Sequence, residues 1–180
     1  IDVASPSSWA LSVGAWVTVG VALVGGTANL VAVATLTHQM VCRPSRRVIK
    51  WTAETVLILQ LAVNDLLYCG GSLPFVIHHY FTRVPTTDAL CAFAGCLRIT
   101  NACVEFNTLG LVALQRCYQI HTGRGRSGFF TVARTAYLCG GVWLLSTLLQ
   151  MPLLIKGRFH FHQPTYKCDF HVTDNMRTII

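Results

Sequence analysis

The sequence predicts an all-α membrane protein, and two observations support that fold class. Hydrophobic residues make up 53% of the 180 residues and charged residues only 12%, whereas soluble domains carry about 25% charged residues. In addition, four apolar stretches are long enough to cross about 30 Å of hydrocarbon. Because lipid offers no hydrogen-bond partners, backbone groups in such stretches are best satisfied within helices.

The apolar stretches predict four membrane helices, an outer loop and the beginning of a fifth helix. By the length that a span requires, we expect helix 1 at about 10–37, helix 2 at about 55–76, helix 3 at about 90–120, helix 4 at about 133–155, the outer loop at about 156–172 and the start of helix 5 at about 173–180. The first stretch exceeds the about 7 to 15 apolar residues of a signal peptide, so we expect a membrane helix there. The sequence begins at Ile1 and ends in an apolar run, which indicates a fragment of a longer protein.

Basic residues between the helices predict the orientation of the chain. They cluster in the loop after helix 1 and in the segment after helix 3, at Arg43, Arg46, Arg47, Lys50, Arg124, Arg126 and Arg134. Loops rich in Lys and Arg stay cytoplasmic, so the amino terminus is expected outside the cell. The net charge of +7 comes from residues that flank membrane spans. It therefore predicts contact with membrane lipid and no nucleic-acid partner.

Short motifs along the four helices resemble those of the rhodopsin-like, or class A, G-protein-coupled receptors. In chain order they are Gly26-Thr27-Ala28-Asn29, Leu61-Ala62-Val63-Asn64-Asp65, Pro74, Cys91, Gln115-Arg116-Cys117, Trp143, Pro152 and Cys168. Their order and their intervals within the helices are similar to the family's. The segment Tyr166-Lys167-Cys168-Asp169-Phe170 and the non-acidic Gln115 also look similar to melatonin-like receptors and a related orphan branch.

This resemblance implies a fold and a function. The fold is a rhodopsin-like seven-helix bundle of which helices 1 to 4 and the start of helix 5 are present. The function is that of a multi-pass receptor in the cell membrane, which binds an extracellular ligand and activates a heterotrimeric G protein. The resemblance also implies a disulfide between Cys91 and Cys168, both on the expected outer side, and structural roles that fall to Asn29, Pro74, Trp143 and Pro152.

Two other classes of protein were weighed against a receptor. A transporter or channel fragment is the alternative, because buried Arg, Glu and Asp side chains also mark ion pathways. An enzyme is not predicted, because the sequence has no nucleophile elbow, phosphate loop or His-Glu-x-x-His motif.

One face of helix 3 is too polar to face lipid. Its residues follow at steps of three or four, the spacing of one helix face: Arg98, Asn101, Glu105, Thr108, Val112 and Arg116. A charge at the centre of a bilayer costs at least about 2.5 kcal/mol, so Arg98 and Glu105 are expected to point into the bundle. Two interpretations remain open. Arg98 and Glu105 pair internally through water or polar neighbours, or Arg98 binds ligand together with Asn101 and Ala102.

Asp65 and Glu105 predict a sodium or proton site. In the resembling family the helix-2 aspartate helps to bind Na⁺, and Asn101 and Glu105 occupy helix-3 positions of that pocket. Glu105 is a departure, since serine is usual there. Two close carboxylates in a low dielectric cannot both ionise without a cation, so either Na⁺ lies between Asp65 and Glu105 or one of them keeps its proton. A further alternative is that Glu105 pairs with a helix outside this sequence. No other cofactor is predicted.

The segment Gln115-Arg116-Cys117 stands where the family usually has Asp-Arg-Tyr, at the surface expected to contact the G protein. In the family the acid restrains the arginine in the resting state, whereas Gln115 offers only neutral hydrogen bonds. A neutral hydrogen bond is worth about 0.5–1.5 kcal/mol, against roughly 1.5–3 for a charged one. We therefore expect a weakened resting state and signalling without ligand.

The outer loop predicts a β-hairpin over the pocket. Alternating segments lie on either side of Gln163-Pro164-Thr165, a sequence that breaks a strand. Three histidines in this loop, His160, His162 and His171, have donor atoms suited to a metal ion. Solvated histidines are the preferred interpretation, and no metal is predicted.

Overall fold

The computed structural model describes residues 7–42, 52–84, 86–122, 128–155, 159–162 and 167–170. In this part of the chain four helices are long and apolar enough to cross a membrane. Helix 1 is Ser8–Cys42, helix 2 is Ala53–Thr82, helix 3 is Asp88–Thr122 and helix 4 is Val132–Ile155. The predicted all-α membrane fold is confirmed. The expected start of helix 5 at about 173–180 and the basic residues 43–50, 124 and 126 lie outside the described residues.

Helix 2 is interrupted by a wider turn. It consists of an α-helical part Ala53–Leu67, a π-helical turn Tyr68–Ser72 and a second α-helical part Leu73–Thr82. Pro74 has no N–H to donate to the carbonyl four residues earlier, and π turns are one way in which helices accommodate such a loss. The π turn ends two residues before Pro74. Helix 2 ends at Arg83, whose left-handed backbone (φ 57°) directs its N–H to the His79 carbonyl at 3.0 Å.

Small residues allow the helices to approach closely. Helix 2 packs against helices 1, 3 and 4. A Cβ atom at Gly71 would lie 2.9 Å from Leu97 Cδ2 of helix 3, and one at Gly25 would lie 3.3 Å from Cys69 Sγ of helix 2. Glycines at these positions remove side-chain bulk where two membrane helices meet.

The bundle places polar side chains inside and apolar ones outside. Buried polar residues include Asn64, Thr108 and Gln115, whereas Trp9 and Trp16 on helix 1 are exposed. A soluble protein shows the reverse tendency. This distribution suits a lipid environment, in which polar groups find partners only within the protein.

A β-hairpin lies at one end of helix 3. Strand β1 (Phe159–His162) pairs antiparallel with strand β2 (Lys167–Phe170), with Phe161 opposite Cys168, and both strands contact helix 3. The predicted hairpin is confirmed. The histidine side chains considered as metal ligands lie outside the described part of the structure.

Candidate functional site

A cavity of about 570 Å³ lies between helices 1, 2 and 3. The residues predicted for ligand binding and those predicted for a sodium site line this same cavity: Asp65, Arg98, Asn101, Ala102 and Glu105. Helix 1 contributes a mostly apolar strip that comprises Val17, Thr18 and Val21. The two sites predicted separately on helix 3 therefore open into one space.

A disulfide and a charged side chain join the hairpin to helix 3. Cys91 and Cys168 form the predicted disulfide, with their Cα atoms 5.2 Å apart. About two helical turns deeper, Arg98 Nη2 donates a hydrogen bond to the carbonyl oxygen of Cys168 at 3.3 Å. Arg98 is half-buried and also lines the cavity. It thus contacts both the hairpin and the space beneath it. We call this end of the bundle the disulfide end.

His79 supports the hairpin from helix 2. Its side chain is buried, its Nε2 lies 3.3 Å from Thr86 Oγ1, and its ring meets the Phe161 ring edge-on with 5.0 Å between centroids. The hairpin therefore rests on helices 2 and 3 together.

Asp65 is held by helix 1. Asn29 Nδ2 donates to Asp65 Oδ2 at 3.1 Å and to the carbonyl oxygen of Gly25 at 3.0 Å. The amide of Asn29 therefore joins helix 1 to the acid of helix 2, which agrees with the structural role expected for this residue.

Glu105 is held by a different amide. Asn64 Nδ2 donates to Glu105 Oε2 at 2.9 Å and to the carbonyl oxygen of Asn101 at 3.2 Å. The structure thus gives Arg98 and Glu105 different hydrogen-bond partners, Cys168 and Asn64. Asn101 is buried, and within the described residues neither polar atom of its side chain has a hydrogen-bond partner.

The far end of helix 3 carries the segment 115–117, and we call this the Arg116 end. Arg116 Nη2 donates to Glu54 Oε1, and the two side chains form an ion pair in which Arg116 is 56% and Glu54 39% exposed. Gln115 is buried, and Cys117 is exposed with a free thiol. Sequence reasoning missed Glu54 as the partner. Its position in the first turn of helix 2, at the same membrane face as the end of helix 3, was the signal that could have identified it.

The remaining residues with expected structural roles lie on the outer parts of the helices. Pro74 is exposed just after the π turn, and Pro152 is exposed in the last turn of helix 4. Trp143 is half-buried on helix 4, and its carbonyl oxygen accepts a hydrogen bond from Thr147 Oγ1 at 2.9 Å.

These features define a multi-pass membrane protein with a polar interior and a disulfide-tied hairpin. The chain belongs to the rhodopsin family of seven-transmembrane receptors, because the family model described as "7 transmembrane receptor (rhodopsin family)" matches residues 28–179. The predicted family is confirmed. Membership of a receptor family agrees with the expectation that the protein is not an enzyme, and it does not favour the transporter alternative.

Several receptors are similar to this chain over part of their length. The 2-oxoglutarate receptor 1 of Rattus norvegicus is 30% identical over 143 residues, which cover 73% of this chain and 37% of that receptor. The lysophosphatidic acid receptor 4 of Homo sapiens is 35% identical over 99 residues, 53% of this chain and 26% of that receptor. The C3a anaphylatoxin chemotactic receptor of Oncorhynchus mykiss is 29% identical over 115 residues, 63% and 31% of the two chains. The narrower placement beside melatonin-like receptors stays a prediction.

Proposed function

We propose that this chain is part of a cell-membrane receptor that binds an extracellular ligand and activates a heterotrimeric G protein. The disulfide end, with the amino terminus, faces outward in this proposal, and the Arg116 end faces the cytoplasm. The observation that carries it is the position of Arg98, which lines the cavity and contacts the disulfide-tied hairpin. A ligand that enters from the disulfide end meets this guanidinium before it reaches Asp65 or Glu105.

The chemistry of Arg98 favours a ligand with an anionic group. A guanidinium binds carboxylate or phosphate oxygens through paired, charge-assisted hydrogen bonds. Two of the similar receptors are named for 2-oxoglutarate and for lysophosphatidic acid. One of these ligands carries carboxylates and the other a phosphate. We infer that the ligand of this receptor presents a carboxylate or phosphate to Arg98, with Asn101 and Ala102 beside it.

The test is agonist potency in the full-length receptor, with 2-oxoglutarate and lysophosphatidic acid as the first probes. Arg98→Ala should lower potency by more than about tenfold, because a charge-assisted contact is worth about 1.5–3 kcal/mol. Arg98→Lys should restore part of the loss. Arg83→Ala is the matched control, since this exposed arginine ends helix 2 at the same face without lining the cavity. Unchanged potency of Arg98→Ala at normal surface expression contradicts the ligand role.

We also propose that Asp65, Asn101 and Glu105 form a site for Na⁺ or for a shared proton. Both carboxylates line one cavity, and each receives a hydrogen bond from a neutral amide, Asp65 from Asn29 and Glu105 from Asn64. A cation that enters the cavity would reduce the repulsion between two acids in a low dielectric. Occupancy would then favour one packing of helices 1, 2 and 3 over another.

The Arg116 end is the proposed contact with the G protein. In this proposal a ligand at the disulfide end shifts the bundle between two packings, and the segment Gln115-Arg116-Cys117 presents the active one. The exposed apolar side chains of helix 1, which include Trp9 and Trp16, are the proposed contact with lipid.

A further inference from the structure

The ion pair between Glu54 and Arg116 joins the arginine of helix 3 to an acid of helix 2. In the family motif Asp-Arg-Tyr, by contrast, the acid stands next to the arginine on the same helix. The two residues lie 62 positions apart, and their contact joins the first turn of helix 2 to the final turns of helix 3. It therefore restrains both the Arg116 side chain and the separation of two helices at the face proposed to meet the G protein.

Glu54 is positioned by its own helix. Thr52 caps helix 2, and its Oγ1 accepts a hydrogen bond from the Thr55 N–H at 3.2 Å. An acid in the first turn is also favoured by the helix dipole. The backbone of Glu54 is thus fixed independently of Arg116, so the carboxylate stays within reach when the ion pair opens.

Gln115 is not placed to pair with Arg116. Its side chain is 1% exposed, whereas that of Arg116 is 56% exposed. Successive residues of a helix point about 100° apart, and here one points inward and the other toward the surface. Among the residues that the structure describes, the acid paired with Arg116 is Glu54.

We propose that Glu54 is the resting-state partner of Arg116 and holds the receptor inactive until a G protein competes for the arginine. This proposal rests on the proposed receptor function. Partial exposure keeps the ion pair weak, because water screens it. Exposed pairs of this kind change populations by about 1.4- to fivefold. Such a restraint lowers signalling without ligand and still gives way to an agonist.

The first test measures nucleotide exchange without ligand, with the full-length receptor in membranes and a panel of purified heterotrimeric G proteins. At equal surface expression, Glu54→Gln should raise exchange by about 1.4- to fivefold. Glu54→Asp, which keeps a carboxylate at the same position, should raise exchange less than Glu54→Gln does. The control is Asp88→Asn, which removes an acid from the first turn of helix 3 at the other face and should leave exchange unchanged.

The second test does not depend on signalling. Thermal denaturation of the Glu54→Gln, Arg116→Gln and double variants should give a double-mutant cycle with a measurable coupling. The cycle of Glu54→Gln with Arg134→Gln is the control and should be additive, since no described contact joins Glu54 to Arg134.

The outcomes separate this proposal from the receptor function. Unchanged exchange in Glu54→Gln, in a receptor whose wild type does activate a G protein, overturns the restraint and leaves the receptor function standing. An additive Glu54–Arg116 cycle also overturns it, because the contact then contributes nothing that could restrain the helices. If the wild type and every variant fail to activate any G protein, the proposed function fails and the restraint with it.

Discussion

The two ends of helix 3 are held in place by different kinds of interaction. At the disulfide end, Cys91 is buried and covalently joined to Cys168, and Arg98 adds a hydrogen bond to the same hairpin. At the Arg116 end, the ties to helix 2 are non-covalent: a partly exposed ion pair between Arg116 and Glu54, and an apolar cluster in which Val56 and Leu57 of helix 2 pack with Leu111 and Val112 of helix 3. Cys91 and Arg116 are 25 residues apart, a rise of roughly 37 Å that spans a membrane.

This difference separates a covalently fixed end from an end held by non-covalent contacts. A native disulfide contributes about 2–5 kcal/mol to stability. An exposed ion pair contributes about 0.2–1 kcal/mol. The proposed receptor function, in which the disulfide end faces the ligand and the Arg116 end moves to meet a G protein, agrees with this distribution of strengths. Three experiments test the comparison, from the largest expected effect to the smallest.

Removal of the disulfide tests whether the fixed end depends on it. Cys91→Ser should lower stability by about 2–5 kcal/mol, because a link across 77 residues restricts the unfolded chain. Thermal denaturation and surface expression of the full-length receptor measure the effect. Cys96→Ser, at a half-buried free thiol of the same helix, is the control and should change stability far less. Mass mapping of non-reduced receptor that finds both thiols free would sink the prediction.

Substitutions at two neighbouring glycines of helix 2 test how closely this helix packs against helix 3 near the fixed end. Gly71→Val should destabilise the bundle by about 1–3 kcal/mol, because the new side chain meets Leu97. Gly70→Val is the matched control, since a Cβ atom there has nothing within 4 Å. The difference between the two denaturation midpoints measures the cost of the contact with Leu97, because the loss of a glycine from the backbone is common to both variants. Equal midpoints would contradict the prediction, because Leu97 would then accommodate the new side chain without cost.

The effect of sodium on the receptor tests the site proposed at Asp65 and Glu105, which lies between the two ends of helix 3. If Asp65 and Glu105 share a cation, NaCl at ten times its dissociation constant should stabilise the receptor by about 1.4 kcal/mol, and agonist affinity should shift. Glu105→Ser should reduce both effects because one anionic ligand is lost. Choline chloride at equal ionic strength is the control. If sodium stabilises wild type and Glu105→Ser equally, Glu105 lies outside the site.

Much of the fold was readable from patterns in single segments. Long apolar stretches predicted the four helices, and alternation on both sides of Gln163-Pro164-Thr165 predicted the hairpin that the structure contains. The polar face of helix 3 predicted that Arg98 and Glu105 face inward, and both line the cavity. These features follow from periodicity and length, which are local properties of a chain.

The partners of those residues were not readable in the same way. Sequence reasoning named neither Cys168 as a hydrogen-bond partner of Arg98 nor Asn64 as a partner of Glu105. It treated Gln115 as the neighbour that matters to Arg116, whereas Arg116 meets Glu54. Each partner lies on another helix or strand, at a distance along the chain that no helical period encodes.

The sequence by itself determined which segments enter the membrane and which face of helix 3 avoids lipid. Both depend on the free energy of moving a side chain from water to hydrocarbon, and this free energy is a property of each residue type. Tertiary structure alone decided that the proposed ligand and sodium residues share one cavity, and that the acid beside Arg116 comes from helix 2. Those outcomes depend on how close two helices can approach, and the approach is set by packing at residues such as Gly71 and Gly25.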